Sequence, residues 1–236
     1  AGTFVVRLDQ PYRNYAVDLL SPQDFEFAPG ELPYDDVSWA LPMHFGVETI
    51  RVDDPRMLDA VLDPLTADVA VTGRVEGTGP VFLLADTGQE ALLEARYRLH
   101  DFSVRIAEET FTANSQTYPA GSWILTPQPG LDQALGTVAT DLGLDFASAA
   151  AAPDVASHDA PAPRIGVWVP WADTDSIGWI RYTLDQRGVP YTYLRDEDLR
   201  AGNLREKVDV IVYGQVDLDL QGQIHGIPPT IGPMAF

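Results

Sequence analysis

From Arg164 to Tyr213 the sequence alternates strand, helix, strand, helix, strand: RIGVWVPWADTDSIGWIRYTLDQRGVPYTYLRDEDLRAGNLREKVDVIVY. Ile165, Val167 and Val169 share one strand face, and Gly166 and Trp168 share the other. Asp173 or Asp175 suits the cap of the next helix, where a carboxylate accepts from the first free N–H groups. Ile177, Ile180 and Leu184 then form one apolar stripe, and Gly188 ends the helix. Tyr191 to Leu194 predicts a second strand, Glu197 to Ala201 a short helix, and Val208 to Tyr213 a third strand. This order is the opening of a doubly wound, flavodoxin-like parallel sheet. The following DLDLQGQIHGIPPTIGPMAF carries Gly and Pro too often for further regular elements. The sheet is therefore expected to be incomplete, with an open edge and an uncovered apolar face.

A second constraint is the stretch 147–163, ASAAAAPDVASHDAPAP, which is rich in Ala and Pro and has few large apolar residues. That is linker composition, and it predicts a boundary between a mixed α/β part over 1–146 and a second part over 164–236. Within the first part, strands are predicted at Phe4 to Leu8, Val47 to Val52, Val69 to Val75, Val81 to Ala85, Phe102 to Ile106 and Ser122 to Thr126. Helices are predicted from Pro11 to Leu20, Asp35 to Phe45, Gln89 to Leu99 and Leu131 to Leu142, with Gly46 and Gly143 as stops. The fold class is α/β, in two mixed parts.

The formal charge of −20, with a single lysine (Lys207) and scattered arginines, argues against nucleic acid as a partner. No run approaches the roughly 18 apolar residues of a membrane span. The opening Ala1-Gly2-Thr3, with no basic-then-apolar leader, reads as a processed or excised end. The absence of cysteine removes disulfides, thiolate metal sites and cysteine nucleophiles together.

The strand-to-helix corner at Pro170 to Thr174 is where a ligand of such a sheet would sit. It has no glycine before the helix, and it carries carboxylates where an anion would bind, so it is no phosphate cradle. Ser176, in Thr-Asp-Ser-Ile-Gly, lacks the first glycine of a hydrolase elbow. His44, His100, His158 and His225 are far apart, with neither His-x-x-Glu nor His-x-x-x-His spacing, so no zinc site is expected. Asp35-Asp36, Asp53-Asp54, Asp196 to Asp198 and Asp217-Leu-Asp219 lack a calcium-loop pattern and read as solvated turns. Trp168, Trp171 and Trp179 cluster around the corner. With Asp173 and Asp175 they are the weak ligand-binding candidates, although core indoles are the plainer reading of the three tryptophans.

Four segments carry a resemblance: VVRLDQPYRNYAVDLLSPQDF, PYDDVSWALPMHFGVETIRVDD, YPAGSWIL, and the run from Arg164 to Gly214. Together they resemble the non-catalytic downstream region of large secreted bacterial zinc carboxypeptidases related to carboxypeptidase A. In that family the last segment looks like the start of a class I glutamine-amidotransferase-like domain. The family's zinc ligands and general-base glutamate have no matching set in this chain, so the resemblance carries over no catalytic residue. It implies a periplasmic or secreted location and a non-catalytic accessory or interaction region without a cofactor. The partner would be another protein or the remainder of a parent chain. Ile227, Ile231, Met234 and Phe236 are expected to add to the interaction surface. The alternative is part of an active zinc metallocarboxypeptidase whose catalytic domain lies outside this sequence.

Overall fold

A computed structural model describes residues 3–22, 40–170 and 174–214, and the chain divides into two compact units, Ala1–Ala160 and Pro161–Phe236. The first unit opens with α1 (Arg13–Leu20), α2 (Leu41–His44) and a 3-10 turn at Pro55–Asp59. Its sheet is built from β1 (Val75–Glu76), β2 (Val81–Leu84), β3 (Arg105–Ala107), β6 (Trp123–Leu125), β7 (Phe146–Ala149) and β8 (Ser157–Asp159). Helix α3 (Ala91–Arg98) follows β2, and α4 (Leu131–Leu142) follows β6. Strands β4 (Phe111–Ala113) and β5 (Gln116–Tyr118) form a separate hairpin. The six strands lie in the order β1-β7-β2-β6-β3-β8, antiparallel except for the β1–β7 pair.

Strand β2 explains this layering. All four of its residues, Val-Phe-Leu-Leu, are buried, as a continuous apolar run requires when both faces of a sheet are covered. Phe82 and Leu84 point into a core shared with Leu99, Trp123, Leu131, Leu135 and Phe146, which α3 and α4 cover. Val81 and Leu83 point the other way, into a smaller core with Ile124, Phe111 and Tyr118 under the hairpin. The Phe111 and Tyr118 rings stack at 5.0 Å across that hairpin. Helix α4 buries Leu131, Leu135, Val138 and Ala139, a helical stripe. It ends at Gly143, whose φ of +68° favours glycine and whose N–H reaches the Ala139 carbonyl.

The linker reading of 147–163 is corrected. Strand β7 takes 147–149 into the middle of the sheet, and β8 places 157–159 at its edge. The small side chains serve close main-chain approach rather than flexibility. A Cβ on Gly79 would lie 2.0 Å from the Ala149 carbonyl oxygen, and one on Gly77 would lie 3.1 Å from the Ser148 side chain. Ser148 also accepts, through its carbonyl, a bond from the Asn114 side chain at 2.8 Å.

Three predicted strands are corrected as well. Phe4 to Leu8 and Val47 to Val52 are irregular, and of Val69 to Val75 only Val75 joins a strand. Apart from Val75, which pairs with Phe146 of β7, their alternation finds no partner strand among the described residues, and an unpaired strand has nothing to hold it. Of the helix predicted over 35–45 only Leu41–His44 is helical, and 35–39 lie outside the described residues. The hairpin went unpredicted because Asn114-Ser115 replaces the usual Asn-Gly turn signal. Both residues nevertheless adopt positive φ, +50° and +62°, as a primed two-residue turn demands.

Because β7 is internal to the sheet, a chain ending at Asp145, just before it, should lose cooperative unfolding of the first unit. A chain ending at Ala160 should keep it. Circular dichroism melts of the two truncated chains check this, and a sharp melt of the shorter one would contradict the strand assignment.

Candidate functional site

The second unit is a three-stranded parallel sheet in the order β10-β9-β11, from β9 (Ile165–Trp168), β10 (Tyr191–Leu194) and β11 (Val210–Val212). Helix α5 (Thr174–Gln186) joins β9 to β10, and α6 (Asp196–Ala201) with α7 (Leu204–Lys207) joins β10 to β11. The first crossover steps to one side of β9 and the second steps back across it, so right-handed connections put α5 and α6–α7 on opposite faces. This is the doubly wound opening. Its switch point lies beyond the carboxyl ends of β9 and β11. The apolar stripe of α5 is as the sequence predicts, with Ile177 and Leu184 buried.

At the switch point the Trp168 indole is fixed. Its Nε1–H donates to Asp196 Oδ1 at 2.8 Å, and its ring lies 5.8 Å from that of Tyr213. Immediately after Tyr213 the backbone closes on α5. A Cβ on the buried Gly214 would stand 2.8 Å from the Ile177 amide nitrogen and 2.9 Å from Ser176 Cβ. Main chain thus occupies the approach to the first turn of α5, where a bound anion would need free amides. Asp175 stands exposed in that turn, complementing the positive helix end and opposing an anion.

The other candidates divide. Trp171 and Asp173 lie outside the described residues, as do Ile227, Ile231, Met234 and Phe236. Trp179 corrects the expectation of a core indole, because it is 71% exposed on the outer face of α5, edge-on to Tyr182 at 5.9 Å. Trp168 and Trp179 therefore belong to two separate aromatic pairs. Sequence reading missed a third group. The Tyr193 ring has the Arg181 guanidinium at 5.0 Å and that of Arg195 at 5.7 Å, and Arg181 Nε donates to the Tyr191 hydroxyl at 3.3 Å. The i, i+2 spacing of Tyr191, Tyr193 and Arg195 was the available signal for it.

The strongest electrostatic feature sits at the opposite, amino-terminal end of this sheet. Arg164 grips both oxygens of Asp209, through Nε at 3.1 Å and Nη2 at 2.8 Å. It also reaches the carbonyls of Glu206 at 2.7 Å and Arg205 at 2.8 Å, satisfying the end of α7. The backbones reciprocate, with Arg164 N–H on Asp209 Oδ2 and Asp209 N–H on the Arg164 carbonyl, both at 2.8 Å. The side-chain bonds from Arg164, followed by its backbone N–H, hold the Asp209 carboxyl down at about 2. This is a clamp between β9 and β11, with no group left over for chemistry.

Elsewhere, the first unit has an open hollow of about 410 Å³ beside α2, lined by Leu20, Pro42, Met43, Val47 and neighbours, with Glu48 the charged wall residue among the described ones. Among the described residues no three His, Asp or Glu side chains gather to hold a metal ion. No helix there is long and apolar enough to cross a membrane. No family model, curated protein or solved structure matches the chain.

The clamp has a definite pH signature. Asp209 titrates lower in the folded chain than the roughly 3.9 of a free aspartate, so its contribution is present above that value and lost as pH falls through about 2. In an NMR titration Asp209 should protonate near 2 in the native chain and move toward the free value in Arg164→Gln. An Asp209 that titrates like a free carboxylate in both would remove the clamp.

Proposed function

We propose that this chain is a non-catalytic accessory or interaction region related to zinc carboxypeptidases, serving as a structural or partner-binding part of a larger assembly. One observation carries the reading. From Phe4 to Val71 the described residues expose large apolar side chains in series, among them Phe45, Ile50, Leu65 and a fully exposed Val61. Water-facing apolar surface on this scale marks an interaction site, whereas scattered single residues would not. Two segments with strand alternation or apolar content, Phe4 to Leu8 and Val47 to Val52, lie in this arm without a partner strand among the described residues. The excess of negative charge keeps such a surface soluble until it is covered.

The resemblance supports a periplasmic or secreted setting and a protein occupant for this surface. It also favours one second reading, in which the surface belongs against the catalytic domain of a zinc metallocarboxypeptidase encoded elsewhere in the same parent protein. On either reading the chain by itself binds no stoichiometric zinc and removes no C-terminal residue from a peptide.

The test is to make the arm polar. Ile50→Ser and Val61→Ser in the isolated chain should change its unfolding free energy by no more than about 0.5 kcal/mol, as at free surface positions. They should also reduce the binding of an apolar-surface dye. A loss of about 2 kcal/mol or more, the range for emptied core sites, would mean that the arm packs within its own fold, and the interaction reading would fall.

A further inference from the structure

Strand β8 combines two properties that do not usually coincide, an ordered place in the sheet and the composition of a linker. It is three residues long, lies outermost in the sheet, and buries none of its side chains. Its apolar support is Val155, which packs half-buried against the smaller core. What holds it is backbone pairing to β3 and a set of charged side chains. Glu108 N–H donates to the Ala156 carbonyl at 2.8 Å and Ala160 N–H to the Val104 carbonyl at 2.9 Å. Arg105 Nη2 donates to the Ser157 carbonyl, and Arg96 Nε to that of Ala160, both at 2.7 Å. His158 meets Glu108 at 3.2 Å and Arg105 meets Asp159 at 3.7 Å, pairs whose members are all about half exposed or more. The boundary between the two units falls directly after β8.

We propose that β8 is a detachable strap: it opens as a local unit while the rest of the sheet stays folded, adding residues 150–160 to the connection between the two units. The physical reason is the contrast with its neighbours. Opening β7 would expose Phe146 and Ala149 and split the pairing of β1 from β2. Opening 150–160 exposes only half-buried residues, Pro153, Val155, Ser157 and Ala160, and breaks bonds that water can replace. Segments with few buried apolar contacts and solvent-accessible backbone bonds are those that open far below the global unfolding free energy. The ionic contacts are exposed enough for salt to screen them. The strap is independent of whether the apolar arm has a partner.

Native-state hydrogen exchange on the full chain decides this. The amides of Glu108 and Ala160, which donate across the β3–β8 pair, should exchange together and roughly 100-fold faster than the amides of β2. Added salt should speed them further without affecting β2. A lock provides the second measurement. The bonds at Glu108–Ala156 and Ala160–Val104 place Arg105 opposite Asp159 at a close, non-hydrogen-bonded position, where a cross-strand disulfide fits. The chain has no cysteine of its own, so within one chain Arg105→Cys with Asp159→Cys can form only that bridge. Oxidation should slow the two amides to the β2 rate, and reduction should restore their exchange. If Glu108 and Ala160 exchange at the β2 rate in the native chain, β8 is a fixed strand and the proposal is wrong, whatever the lock does.

Discussion

Strand β2 has a core on each side and a strand on each edge, and most of the first unit follows from those four contacts. Its residues alternate between two apolar clusters, Phe82 and Leu84 under the helices and Val81 and Leu83 under the hairpin. Burying side chains of this size contributes about 1.5–3 kcal/mol each, so neither cover can be lost without stranding half of the strand. That demand fixes the register of β6 and β7, because a one-residue slip would exchange the two faces. It also explains why the segment after α4, though built of alanine and serine, is drawn in as β7. Phe146 supplies a large side chain to the helix-side core, and the small residues after it admit the backbone at Gly77 and Gly79.

The second unit is organised by its ends. At the amino-terminal end the Arg164–Asp209 clamp ties β9 to β11 and engages every nitrogen of the guanidinium. At the carboxyl-terminal end, where this architecture ordinarily receives a ligand, Trp168 is committed to Asp196 and Tyr213, and Gly214 lies against the helix start. In the described part of the corner the Trp168 indole and the Gly214 backbone are thus held by their neighbours. The Trp168 indole there is paired with Asp196, and Trp179 and Tyr182 form a separate exposed aromatic pair on α5.

The parts of this fold that were legible in the sequence are those whose signal is local. Strands β2, β6, β9, β10 and β11 announce themselves as short apolar or alternating runs, and α4 and α5 by helical stripes with glycine stops, while α3 is legible as a helix without one. What was not legible depends on partners. Alternation at Val47 to Val52 is the same whether or not a second strand lies beside it, and here none does among the described residues. Residues 147–159 gave the opposite error, because alanine and serine report flexibility in one context and close packing in another. The exposure of Trp179 was not foreseen, since an indole next to an apolar helical stripe looks the same in sequence whether it turns inward or outward.

The account turns on the apolar arm being open in the isolated chain and covered in its native setting. Hydroxyl-radical footprinting with mass spectrometry reads this residue by residue, using Tyr12, Tyr15, Met43, Phe45 and Met57 as reporters and the buried Tyr118 and Phe146 as internal controls. The arm residues should react at rates near those of the unfolded chain when the chain is alone, and become protected in the assembly purified from its source, while the controls stay protected throughout. Protection of the arm in the isolated chain, at the level of Tyr118 and Phe146, would contradict the account.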